Sequence, residues 1–133
     1  MKIFFKLILG ITGILLLIII ISFLIFYLSG RNAKIFLGDF QPQISQLKDG
    51  IYHGTFSYLG DAKAEIRFEI MEGKLVAYEF IELTSTPGYG ADYTVKTQID
   101  SKKNLSFDAA SGATITSNFA KAAIKDAIEN GPE

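Results

Sequence analysis

The sequence predicts an α+β fold: a small antiparallel sheet packed on a C-terminal helix, preceded by a single N-terminal transmembrane helix. Three observations carry this. The run Leu7 to Leu28, LILGITGILLLIIIISFLIFYL, is apolar and holds no charged residue. Two strand-like runs flank Glu72-Gly73, and the first of them alternates strictly. The last stretch, TITSNFAKAAIKDAIEN, repeats its apolar residues at helical spacing.

At about 1.5 Å per residue the first run is long enough to cross a hydrocarbon core of roughly 30 Å. A cleaved secretory signal is the rival reading. Its apolar core is shorter, and a small-x-small cleavage site follows it; neither mark is present, and no cysteine is available for a lipid anchor. The run therefore reads as an uncleaved single-span anchor. Lys2 and Lys6 precede it and Arg31 and Lys34 follow it, so flanking charge does not set its orientation. Gly10 and Gly13 are not at the four-residue spacing that marks close pairing of membrane helices. The domain division expected is an anchor over 1–30, with its membrane helix at about 7–28, a stalk over 31–46 and a folded domain over 47–131. A turn of helix is expected near Gln43 to Leu47.

Ile51 to Tyr58, IYHGTFSY, is rich in aromatic and β-branched residues and predicts a strand. In the next strand, Ala64, Ile66, Phe68 and Ile70 share one face and Lys63, Glu65, Arg67 and Glu69 the other. Glu72-Gly73 suits a two-residue hairpin turn. The return strand, Lys74 to Leu83, is apolar on both faces in places, which predicts a central position. Thr84 to Gly90 is a loop, Tyr93 to Asp100 a short strand, and Ser101 to Ser106 polar and exposed. In the last helix, Phe119, Ala120, Ala123, Ile124, Ala127 and Ile128 form the apolar stripe, and Asn130-Gly131-Pro132 stops it.

Composition excludes several functions. All fourteen Asp and Glu lie after Lys34, where only nine of the thirteen Lys and Arg lie, so the body lacks the basic face that nucleic acid calls for. Without cysteine there are no disulfides, thiolate metal sites or thiol nucleophiles. His53 is the single histidine and reads as a surface or packing residue. No catalytic residue and no metal site emerge. The loop TSTPGYG matches no phosphate-gripping fingerprint, although Tyr89 and Tyr93 beside flexible glycines suit stacking on a flat ring.

The remaining signal is Asp108 to Ser117, DAASGATITS, with four hydroxyl side chains at a helix start. Capping needs one of them. A helix N-terminus also exposes free amides and the positive end of the dipole, and so accepts phosphate. Gly112 lets the backbone approach closely, and Ala113 keeps the approach open. These residues alone leave a cap and a phosphate site equally supported.

Ser111-Gly112-Ala113-Thr114, within D-x-x-S-G-A-T, resembles the covalent flavinylation motif of the FMN-binding domain family. That family includes domains in the C and G subunits of the sodium-translocating quinone reductase and Rnf complexes, and small membrane-anchored electron carriers. Lys48 to Gly54 resembles its D-G-x-Y-x-G opening strand, Met71 to Leu75 its hairpin, and Thr86-Pro87-Gly88-Tyr89-Gly90 its T-P-G-L-G loop. The landmarks keep the family's order over about Leu47 to Asn130. Departures are Ser85 where a glutamate often stands, Tyr89 in place of an aliphatic residue, and a short stretch before the motif. That short stretch speaks against membership in the large respiratory complexes.

The resemblance implies FMN joined through its phosphate to the Thr114 hydroxyl, as a threonine phosphoester. It places Ser111, Gly112, Ala113, Thr116 and Asp108 around the attachment point, and Thr86, Pro87, Gly88 and Tyr89 against the ring or ribityl chain. It implies a separate Mg-dependent flavin transferase with FAD as donor. The function implied is electron transfer to redox partner proteins or quinone, by an electron-transfer domain and not a stand-alone catalyst. The location implied is the outer side of the cytoplasmic membrane. Two alternatives stay open: an anchored binding or sensing module in which SGAT is only a cap, and a small structural subunit of a membrane complex.

Overall fold

A computed structural model describes residues 1–85, 90–107 and 114–133. Helix α1, Lys2–Leu37, comes first. A single 3-10 turn follows at Ile44–Gln46, where a turn of helix is expected. Strands β1 (Gly50–Tyr58), β2 (Asp61–Met71) and β3 (Lys74–Leu83) form an antiparallel meander. Helices α2 (Ala91–Lys102) and α3 (Thr114–Asn130) complete the described elements. The architecture is the α+β one that the sequence predicts.

Every residue from Met1 to Leu24 is exposed, and α1 is long and apolar enough to cross a membrane. Its 36 residues rise about 54 Å. The hydroxyls along it are satisfied within the helix. Thr12 Oγ1 donates to Ile8 O, Ser22 Oγ to Ile18 O and Ser29 Oγ to Ile25 O, at 2.6–2.9 Å. Such back-bonding is what a hydroxyl needs where no water is available.

The hairpin turns at Glu72-Gly73, with φ of 52° and 72°. Both residues lie in the left-handed region, as a type I′ turn requires. In β2 the alternation translates into burial: Ala64, Ile66, Phe68 and Ile70 are 0–1 % exposed. This face meets α3, whose Phe119, Ala120, Ala123, Ile124 and Ala127 are fully buried. Tyr52 stacks on Phe68 at 5.1 Å between ring centres. Full burial of each such large apolar side chain contributes about 1.5–3 kcal/mol. Gly54 sets how close β1 lies to α3: a Cβ there would meet Ala123 O and Ala127 N within hard-sphere contact. Asp126 of α3 accepts a hydrogen bond from the Thr55 amide at 2.9 Å.

Three expectations are corrected. Tyr93 to Asp100 is helical, within α2. The residues it buries are Ala91, Val95 and Ile99, four apart, which a helix places on one side. The stretch also shows every-second-residue apolar spacing at Tyr93, Val95 and Ile99, but Tyr93 is 74 % exposed. β3 is an edge strand and β2 the central one, because α2 does not supply a fourth strand. The second face of β3 accordingly leaves Val76 and Ile81 more than half exposed. Within the polar stretch 101–106, Leu105 is fully buried in the core, while Ser101, Lys102 and Lys103 are exposed.

Candidate functional site

The site is built where α3 begins. Thr114 is the first residue of α3 and is exposed. No acidic residue stands in the first turn, so nothing there cancels the positive end of the 17-residue helix. The stripe on Phe119, Ala123 and Ala127 rotates Thr116 and Ser117 inward, at 2 % and 0 % exposure.

These two inward hydroxyls differ. Thr116 Oγ1 donates to Thr84 O at 3.1 Å. That bond ties the start of α3 to the first residue of the TSTPGYG loop, and the Thr84 amide in turn donates to Lys63 O at 2.8 Å. Among the described residues, Ser117 Oγ is buried with no hydrogen-bond partner. A buried hydroxyl without a partner costs about 1–3 kcal/mol. It lies one turn from Thr114, which is exposed at the helix start.

Of the residues expected around the cofactor, Thr114 and Thr116 are therefore brought to one helix end. Asp108, Ser111, Gly112 and Ala113, and the loop residues Thr86, Pro87, Gly88 and Tyr89, lie outside the described residues. Their flanks are nonetheless close: Thr84 opens the loop, and Thr116, which bonds to it, stands two residues after Thr114.

Beyond the loop, Gly90 caps α2 in the left-handed region, with φ of 56°. Thr94 donates to Gly90 O through both its amide and its hydroxyl, at 3.0 and 3.1 Å. Tyr78 of β3 donates to Asp100 Oδ1 at 2.7 Å and lies 3.1 Å from Lys96 O. Burial, and then the Asp100 carboxylate, push its phenol well above the ordinary tyrosine range. Burial raises the Tyr52 phenol as well, aided by Asp49, and its hydroxyl donates to Lys48 O at 2.7 Å. His53 pairs with Glu65 at 2.6 Å on the outer face of the sheet, a surface role as expected. Among the described residues no group of His, Asp and Glu could hold a metal ion.

A second feature adjoins α3. A cleft of about 670 Å³ is lined by Tyr27, Gly30, Arg31, Lys34, Ile115 and Asn118, among others. Gly30 faces Ile115 so closely that a Cβ there would lie 2.8 Å from two of its side-chain carbons. Sequence reasoning gave Ser117 only a capping role and gave Gly30 none. The Ser117 signal was its inward place on the stripe; Gly30 had none, since its partner is 85 positions away in the chain.

Fold and site together define a small α+β domain in which an exposed threonine opens a helix beside a long apolar helix. The FMN-binding domain model matches residues 58–129, more than half of the chain. The chain belongs to the FMN-binding domain family, and FMN is its cofactor. No curated protein and no solved structure matches it.

Proposed function

We propose that this protein is a membrane-anchored flavoprotein that holds FMN as a phosphoester on Thr114 and passes electrons between redox partners. One observation carries the attachment reading: in a chain of the FMN-binding family, Thr114 stands exposed at the start of α3, one turn from the unpartnered Ser117 hydroxyl. Bound FMN supplies one- and two-electron redox chemistry; the chain supplies tethering and orientation. On attachment the Thr114 hydroxyl gives up its proton and bonds to phosphorus, and AMP leaves from the FAD donor. A separate Mg-dependent flavin transferase does this work.

The chain's own groups then have distinct tasks. The free amides of the first turn of α3 and the end of its dipole hold the phosphate. Ser117 Oγ donates to the ligand. Thr116 stays on Thr84 and fixes the helix against the loop. Ser111, Gly112, Ala113 and Asp108 shape the turn, and Thr86, Pro87, Gly88 and Tyr89 cover the ring or ribityl chain. The domain division is an anchor over 1–30 and an FMN-binding domain over 47–131. In the joining segment over 31–46, α1 continues to Leu37. The folded domain lies on the outer side of the cytoplasmic membrane, where a covalent link prevents loss of the cofactor. Redox proteins or quinone serve as partners.

The test is a denaturing gel. Co-expression with a flavin transferase gives a fluorescent band that survives SDS. Thr114→Ala abolishes it, while Thr116→Ala retains it with a less stable fold. A band lost in Thr116→Ala and kept in Thr114→Ala would overturn the assignment. No band in any variant would return the chain to an anchored binding module.

A further inference from the structure

The last turns of α1 are part of the folded domain. Ser29, Gly30, Ala33 and Leu37 are buried, and the side they share meets α3. Gly30 lets the backbone of α1 come down onto Ile115. Phe26 meets Phe119 edge-to-face, with ring centres 5.7 Å apart. Farther along, Lys125 Nζ donates to Phe36 O and sits 4.4 Å above the Phe36 ring. These contacts spread along α3 from Ile115 to Lys125, so α1 is held against rotation as well as translation.

The depth of this seam is set by the sequence. The uncharged run ends at Leu28, and Gly30 is only about 3 Å farther along the helix. Phe26 lies within the run itself. Tyr27, Arg31 and Lys34 line the adjoining cleft, an aromatic and two cations at the point where a spanning helix enters the headgroup layer. Thr114 directly precedes Ile115, the residue seated on Gly30.

We infer that the end of α1 is a rigid strut, with Gly30 its positioning residue, that fixes the start of α3 at the lipid–water boundary. The strut rests on the reading of α1 as a membrane span; only its consequence for electron transfer rests on Thr114 as the attachment point. It deepens that reading by fixing the reach of the redox group. A flavin on Thr114 cannot swing away from the membrane to meet a distant soluble carrier. Its electron partner is one whose own redox group lies at the membrane surface.

The chain has no cysteine, so single labels can be placed cleanly. The full chain is reconstituted in phosphatidylcholine nanodiscs, with a fluorophore on Thr114→Cys or, as a span control, on Leu15→Cys. Lipids carrying a nitroxide at the headgroup are expected to quench the Thr114 label several-fold more than lipids carrying it near the acyl-chain ends; the Leu15 label shows the reverse. Spin labels on Asn32→Cys and Glu129→Cys, both exposed, give a narrow, single-peaked distance distribution by pulsed electron resonance. Gly30→Leu broadens that distribution and lowers headgroup quenching at Thr114. A broad distribution in the chain with native Gly30, or a Thr114 label that headgroup nitroxides leave unquenched, overturns the strut. A Leu15 label that no lipid quenches removes the span, and the strut with it. None of these readouts needs flavin, so a missing fluorescent gel band overturns the attachment reading and leaves the strut standing.

Discussion

The two stretches of α1 are one continuous helix and differ in what surrounds them. From Leu7 to Leu24 the side chains are large, branched and aliphatic for the most part, and none packs against the rest of the chain. From Ser29 to Leu37 the buried residues are mostly small, Ser29, Gly30 and Ala33, and α3 lies on them. Bulk gains most where the neighbour is a fluid that fits any shape. Small residues serve where the neighbour is another backbone that must approach closely. A spanning helix therefore ends, in the energetic sense, where its residues shrink and its protein contacts begin, and not where it unwinds at Gly38.

Removing the side chain that joins the stretches to the core should have the largest effect. Phe119 is fully buried and touches both Phe26 and Phe56, with ring centres at 5.7 and 5.8 Å. Phe119→Ala is expected to cost about 3–5 kcal/mol of domain stability, measured by denaturant unfolding in detergent. A loss below about 1 kcal/mol would mean that the seam is not part of the cooperative core.

Gly30→Leu comes next. It drives a side chain into Ile115 and is expected to cost about 1–3 kcal/mol by overpacking. An unchanged unfolding midpoint would show that the small residues are not there for close approach.

Tyr78 belongs to neither stretch and gives a pH-dependent control. Its folded-state pKa is raised, by burial and by the Asp100 bond. Its contribution is thus fully present below the ordinary tyrosine value of about 10 and is lost as pH rises from there through the folded value. Tyr78→Phe should flatten the alkaline fall in stability, lower the neutral-pH plateau by about 1 kcal/mol, and leave the response to Gly30→Leu unchanged. An alkaline limb identical in the variant would assign that limb to other groups.

The smallest effect is expected in the outer stretch. Leu17 is 55 % exposed, so Leu17→Ala should change domain unfolding by less than about 0.5 kcal/mol. Its effect is on membrane partition, read by flotation with lipid. A substantial loss of domain stability would show that the outer stretch also packs on protein.

The legible parts of this molecule are those with a single dominant period. β2 alternates along its length and lays one face on α3, so Ala64, Ile66, Phe68 and Ile70 could be named as buried; Lys63, expected on the open face, is buried as well, at 9 % exposure. The stripe of α3 was equally plain. Tyr93 to Asp100 was not, because Val95 and Ile99 satisfy both a period of two and a spacing of four; packing on the core chose the helix. The place of β3 was hidden for a related reason. An apolar strand reads as central, yet strand order depends on how many strands the rest of the chain supplies. At the site, the hydroxyl cluster and the helix start were legible as residues. Their division of labour was not, because Thr116 finds its acceptor at Thr84 across the fold while Ser117 finds none among the described residues.

The sequence by itself determined the apolar helix, the hairpin, the apolar stripe of α3 and the family landmarks. Each of these rests on residues close together in the chain. Only the tertiary structure decided that α1 continues into the domain and lies on α3 at Gly30. It also decided that the inward Thr116 hydroxyl is engaged by Thr84 O across the fold. Those outcomes turn on distances between residues far apart in sequence, a few tenths of an ångström of room for a Cβ or a hydrogen bond, and no local pattern encodes them.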